Sequence, residues 1–324
     1  MAKRVALALG SGGARGYAHI GVINELQARG YDVVGIAGSS MGALVGGLHA
    51  AGALEEFVAW ATTLTQRSLL RLLDPSIAAA GSLRAEKILD AVRDMLGDTT
   101  IENLPIPYTA VATDLIAGKS VWLQRGPLDA AIRASIAIPG VISPHLLDGR
   151  LLADGGILDP LPMAPVAAVN ADLTIGVSLF RADTDNAADE AAGAELTPAR
   201  ERLNRLVRST SALWERFGAG PEPTFFPQDA DSEDPEEDLD GPADPTIPKL
   251  GGFAVMNRTI EIAQAALARH QMATYPPDLL IEVPRNSCRS LDFHRATEVI
   301  QLGRDLAARA LDALDVDPKA ASQP

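Results

Sequence analysis

The 324-residue chain has a single cysteine, Cys288, so no internal disulfide can form and a reducing compartment suits it. No export leader is expected either: Lys3 and Arg4 precede only residues 5–9 before glycines begin, which is too short for the apolar part of an export signal, and the protein is expected in the cytoplasm. Long uncharged runs are almost absent. The one at 33–54 could span a bilayer and carries Gly42 and Gly46 at G-x-x-x-G spacing, but six glycines, Ser39, Ser40 and His49 dilute it. It divides instead into a β-branched half and an alanine-rich half. Residues 217–248 hold no Lys or Arg and ten acids; removing those ten from the net charge of −14 leaves −4 for the rest. The acidity therefore belongs to one segment, expected to be a solvated insertion or lid at 181–249 within a single domain over 1–324. That segment lacks the ligand order and glycine of an EF-hand loop, so no metal is expected. Net acidity argues against nucleic acid as a partner, because phosphate binding needs basic clusters.

What is present alternates between strand and helix patterns. Residues 5–9 read as a buried strand, followed by G-S-G-G-A-R-G (10–16) and a helix over 17–29 stopped by Gly30. A strand at 33–37, a turn at 38–42 and a helix at 41–51 follow. Helices are expected near 54–64 and 84–96, the second capped by Ser82, with strands at 108–114 and 120–123. Then come a helix at 128–135, strands at 151–153 and 173–179, and an amphipathic helix at 198–217. A helix at 256–272, a strand at 279–283 and a closing helix at 293–314 complete the chain. This order predicts an α/β fold, three layers with a mostly parallel sheet covered on both faces.

Three short stretches can carry chemistry. In G-S-S-M-G (38–42), Ser40 occupies the centre of a G-x-S-x-G turn between strand and helix, the pattern of a nucleophile elbow; an N-cap would need the same residue without any chemistry. Gly10, Gly12 and Gly16 suggest a dinucleotide loop, but the second strand ends in G-S-S-M-G where an acid should hold the ribose. The alternative is an oxyanion hole, with glycines at 12 and 13 letting an acyl carbonyl approach backbone N–H groups. Arg15 could place positive charge near a phosphate or tie the loop to the fold. Of the five histidines, His19 reads as a packed one, and none sits like the late histidine of an α/β-hydrolase triad. Asp154 in L-L-A-D-G-G-I-L-D-P-L-P is either an Asx-turn or an acid with a function.

Together G-S-G-G-A-R-G, G-S-S-M-G and D-G-G (154–156), with R-A-S-I-A-I-P-G-V-I-S-P at 133–144 and L-D-F-H-R-A at 291–296, resemble the patatin-like phospholipase family over roughly 4–180 and 250–314. Ser39 departs from the family, which commonly has Thr there. The resemblance implies a serine-dependent lipid acyl hydrolase (phospholipase A, lysophospholipase or esterase) with a Ser-Asp dyad and no cofactor or metal. Ser40 would attack the ester, Asp154 would take its proton, and the N–H groups of Gly12 and Gly13 would hold the oxyanion. Gly10, Arg15, Gly16, Gly38, Gly42, Gly155 and Gly156 would support them. Because a free Asp has a pKa of roughly 4, burial must raise it, and Ile157 and Leu158 are expected nearby. The partner is a lipid or acyl-ester substrate, with peripheral membrane contact through Trp214, Phe217, Phe225 and Phe226 unless these cover the core. A thioesterase or other acyl hydrolase, and a non-catalytic regulatory protein retaining the fold, are the alternatives.

Overall fold

The structure, a computed structural model, describes residues 2–65, 81–139, 142–181 and 252–316. Beyond Arg181, the expected acidic segment, its helix at 198–217 and the four aromatics Trp214, Phe217, Phe225 and Phe226 lie outside the described residues. The strands are β1 (Arg4–Leu9), β2 (Asp32–Ser39), β3 (Tyr108–Asp114), β4 (Lys119–Leu123), β5 (His145–Leu147), β6 (Arg150–Asp154), β7 (Leu173–Arg181) and β8 (Leu279–Pro284). The helices are α1 (Ala18–Ala28), α2 (Met41–Ala50), α3 (Leu54–Ala61), α4 (Gly81–Leu96), α5 (Leu128–Ser135), α6 (Met163–Ala167), α7 (Gly252–Thr274) and α8 (Ala296–Val316). The uncharged run at 33–54 divides into β2 and α2, and no helix among the described residues is long and apolar enough to cross a membrane.

Among the described residues, one mixed sheet of eight strands organises the fold. Its parallel part runs β3-β2-β1-β7-β8. Every residue of β1 after Arg4 is buried, as expected of a parallel strand covered on both sides. The period of two sorts them by size. Val5, Leu7 and Leu9 join a cluster with Ile20 and Ile23 of α1, Leu44 and Leu48 of α2, Phe57 of α3 and Val299 of α8. Ala6 and Ala8 face Met163 and Val166 of α6 and Ala268 of α7. Large aliphatics thus build one core layer, each fully buried one contributing about 1.5–3 kcal/mol. Alanines on the opposite face pack against α6 and α7.

The other edge is antiparallel. The strand β3 pairs with β4 along residues 110–114, and on its opposite side with β6, which pairs in turn with the short strand β5. Here α5 covers one face, Ala134 packing on Ala112 and Leu152. The sequence pattern predicts no strand at β5, whose three residues are too few for a period to show. Ser82 falls inside α4 rather than ahead of it, so it does not cap that helix.

Candidate active site

Two strands running towards each other build the site. The parallel partner β2 lies beside the first half of β3 and ends with Ser39 opposite Val111. The antiparallel partner β6 lies beside the second half and ends with Asp154 opposite Ala112. Since β4 occupies the other side of β3, β2 and β6 share one side, and their last residues meet at adjacent positions of the same strand. The residue after β2 is Ser40, and it faces the residue that ends β6.

Between β2 and α2 the chain turns within one residue. Ser40 takes φ 55° and ψ −122°, a conformation that non-glycine residues adopt rarely and that costs on the order of 1–3 kcal/mol. The flanking glycines are needed for space rather than for left-handed backbone. A Cβ on Gly42 would overlap the Leu9 carbonyl oxygen, one on Gly38 would overlap the backbone of Gly42, and neither glycine has positive φ. The strain sits on the serine itself. Ser40 makes no side-chain cap to α2; its Oγ donates to Asp154 Oδ2 at 2.5 Å, and both residues are buried. The cap reading of Ser40 therefore does not hold.

Asp154 is held on every side. Its Oδ1 accepts the Gly156 N–H at 2.7 Å, its carbonyl accepts from Thr113 Oγ1 at 2.9 Å, and its N–H donates to the Ala137 carbonyl at 3.0 Å. The Oδ1 bond is the Asx-turn foreseen for D-G-G, so the turn and the contact with Ser40 coexist on the two carboxylate oxygens. Burial pushes the carboxyl up to about 6, against the lowering effect of the Ser40 and Gly156 hydrogen bonds. Such a group is mostly ionised at neutral pH yet far more basic than a free carboxylate. Ile157 and Leu158 are only partly buried. Gly155 lies against the Val111 carbonyl and Gly156 against the Ser11 hydroxyl, so neither position has room for a side chain.

The glycine loop runs from β1 into a 3-10 turn (Gly13–Tyr17) and only then into α1. Gly10 N–H donates to the Val177 carbonyl at 3.0 Å, Ser11 N–H to Pro160 at 2.8 Å and Ala14 N–H to Ser290 at 2.9 Å. Among the described residues, no acceptor takes the N–H of Gly12 or Gly13. Gly13 has φ 58° and lies against the Ser290 carbonyl, while Gly16 leaves no room for a Cβ beside Met41, which locks the loop to the start of α2. Arg15 is buried and pairs with Glu261 of α7 at 3.1 Å, with a further bond to the Arg285 carbonyl at 3.2 Å. Of its two sequence readings, the structure shows the tie to the fold. His19 is fully buried, its Nε2 2.8 Å from the Gly10 carbonyl, and burial pushes it down to about 4; it is a packed histidine.

One residue of this site is not singled out by the sequence. Ser135, the last residue of α5, accepts the Ser40 N–H on its Oγ at 2.9 Å and donates to the Val111 carbonyl at 2.6 Å. Its signal lies inside R-A-S-I-A-I-P, where a small hydroxyl ends an otherwise apolar helix face. Ser11 and Ser39 also bring buried hydroxyls beside the D-G-G turn, without a hydrogen-bond partner among the described residues.

A family model described as patatin-like phospholipase matches residues 7–167. The chain is 65% identical over 338 aligned positions to an NTE family protein of Mycobacterium tuberculosis, covering 97% of this chain and 93% of the relative. It is also 32% identical over 204 positions to the neuropathy target esterase sws of Drosophila melanogaster, covering 58% of this chain but 14% of that one.

Proposed function

Starting from the membership of this chain in the patatin-like phospholipase family, among its NTE-type proteins, we propose that it is a carboxylic ester hydrolase acting on fatty acyl esters of phospholipids, lysophospholipids or simpler alcohols through Ser40 and Asp154. The observation that carries this reading is the 2.5 Å hydrogen bond from Ser40 Oγ to Asp154 Oδ2, made by a serine on a strained strand-to-helix turn. Family membership supports the lipid substrate class; the geometry supports the roles.

In the first half-reaction, Ser40 Oγ attacks the acyl carbonyl carbon as its proton passes to Asp154 Oδ2. The carbonyl oxygen gains the negative charge, and the uncommitted N–H groups of Gly12 and Gly13 receive it. Collapse breaks the acyl–oxygen bond, and the leaving alkoxide takes the proton from Asp154. In the second half, water gives a proton to Asp154 and attacks the acyl-serine; collapse frees the acid and returns the proton to Ser40. A carboxyl held near 6 suits both directions, since it accepts a proton at neutral pH and gives it back without a large barrier.

Peripheral contact with a lipid surface belongs to the same proposal. Leu146 pairs with Leu151, and Leu115 N–H donates to the Leu151 carbonyl, so three leucines form one row across the antiparallel edge. Leu146 is 68% exposed and Ile116, beside the row, 81%. This row begins three residues along β6 from Asp154, about 10 Å at strand rise.

The test is hydrolysis of p-nitrophenyl esters, an acyl thioester and a lysophospholipid by the wild type, Ser40→Ala and Asp154→Asn, with folding checked by circular dichroism. Activity in the wild type lost in both variants supports the dyad. Preference for the thioester would move the chain to the thioesterase reading. Activity surviving Ser40→Ala would sink the assignment, and a folded wild type inert on every ester would favour the regulatory alternative.

A further inference from the structure

We propose that Ser135 is a positioning residue that holds the Ser40 elbow in its reactive conformation, an inference that rests on the dyad reading above. Its hydroxyl is oriented without ambiguity. The Val111 carbonyl can only accept, so the Ser135 proton points there, at 2.6 Å; the Ser40 N–H can only donate, so it must find a lone pair of Ser135, at 2.9 Å. Ser135 is fully buried, and no water is needed to complete either bond.

The arrangement answers a difficulty that the elbow creates. At φ 55° the Ser40 amide leaves the β2 ladder, whose last paired residue is Ser39, and it stands ahead of α2. A buried N–H with no acceptor would favour rotation back towards ordinary backbone. Ser135 supplies the acceptor from a third element, and through Val111 it anchors it to the strand along which β2 and β6 meet. The same carbonyl has Gly155 against it, next to Asp154. One hydroxyl therefore links the backbone of the proposed nucleophile, the central strand and the turn bearing the proposed base. Moving Ser40 Oγ by a fraction of an ångström alters both its bond to Asp154 and its approach to an acyl carbon, and misplacements of about 1 Å can cost about a hundredfold in rate.

The variants Ser135→Ala, Ser135→Cys and Ser40→Ala, beside the wild type, decide the matter. Two quantities are read for each: kcat and KM on a short-chain p-nitrophenyl ester, and the rate of covalent labelling by a fluorophosphonate. Ser135→Ala is expected to lower kcat and the labelling rate together by about 10- to 100-fold, with KM within about twofold and the pH midpoint unchanged. Ser135→Cys, whose thiol is a weaker donor and acceptor of similar size, is expected to fall between them. Labelling of Ser135→Ala at the wild-type rate overturns the inference and leaves the dyad reading intact, as does a fall confined to KM. A wild type that is not labelled at all overturns both. Should Ser135→Ala not fold, Ser135→Cys decides alone: an intermediate rate supports the inference and a wild-type rate ends it.

Discussion

The parallel part of the sheet and its antiparallel edge contribute one proposed catalytic group each, and they are built on different terms. Ser40 leaves a strand buried on both faces, enclosed between α2 and β1 so closely that Gly42 has no room for a methyl group against Leu9. Asp154 ends β6, which lies between β3 and β5 in the antiparallel part of the sheet, where Leu115, Leu146 and Trp122 reach solvent. The buried part can hold a strained residue because its surroundings allow no other conformation. The edge gains something else: a carboxylate at the seam between a dry strand end and a wet sheet edge, with its basicity raised by burial. The comparison teaches that the serine's position is a matter of packing, whereas the acid's position is a matter of strand register.

The comparison can be broken at either group. Ser40→Ala should remove ester hydrolysis by about 10⁴-fold or more, and Asp154→Asn by about 10²–10⁴-fold, both measured as kcat with folding verified. Stability should move oppositely in the second case. The folded pKa of Asp154 lies above its unfolded value of roughly 4, so the native state binds the extra proton. Stability contributed by the protonated form is present below pH 4 and lost as pH rises through about 6. Asp154→Asn should therefore raise the unfolding free energy at pH 7 by on the order of 1–3 kcal/mol, seen as a higher Tm. The same group predicts that kcat/KM rises with pH to a plateau above about 6, and falls tenfold per unit below it.

On the packed side, Gly42→Ala should destabilise by about 3 kcal/mol or more, because the added methyl meets backbone that cannot yield. Gly30→Ala, at φ 75° with open space around it, should cost only about 1 kcal/mol, and thermal melts of the two variants separate lack of room from backbone strain. The smallest effect belongs to the wet edge. Leu146→Glu and Ile116→Glu should change stability by no more than about 0.5 kcal/mol and leave soluble-ester turnover within about twofold, while reducing co-sedimentation with phosphatidylcholine vesicles. Unchanged sedimentation would remove that edge from the lipid-contact proposal.

Much of the scaffold was legible in the chain. The stretches at 108–114 and 128–135 mark β3 and α5 to the residue, each opening directly after a proline, Pro107 and Pro127. The glycine loop and G-S-S-M-G stand after strands, which is where such turns can form. Other features were hidden for physical reasons. Three-residue β5 has no period to read, and Ser82, the second residue of α4, lies too far in to cap it. The buried pairing of Arg15 depends on Glu261, a partner 246 residues away in sequence. Ser135 was invisible as a participant, since a serine ending a helix is ordinary until its two partners are known.

By itself the sequence determined the alternation of strands and helices, the family resemblance, and the small residues that let β1, β2, α2 and the D-G-G turn approach, because these are properties of local pattern and side-chain size. Only the tertiary structure decided that Ser40 and Asp154, 114 residues apart, share a hydrogen bond, that the bond lies where β2 and β6 meet along β3, and that burial raises the acid. Register and desolvation are set by what the rest of the chain places around a residue, and no local stretch contains that information.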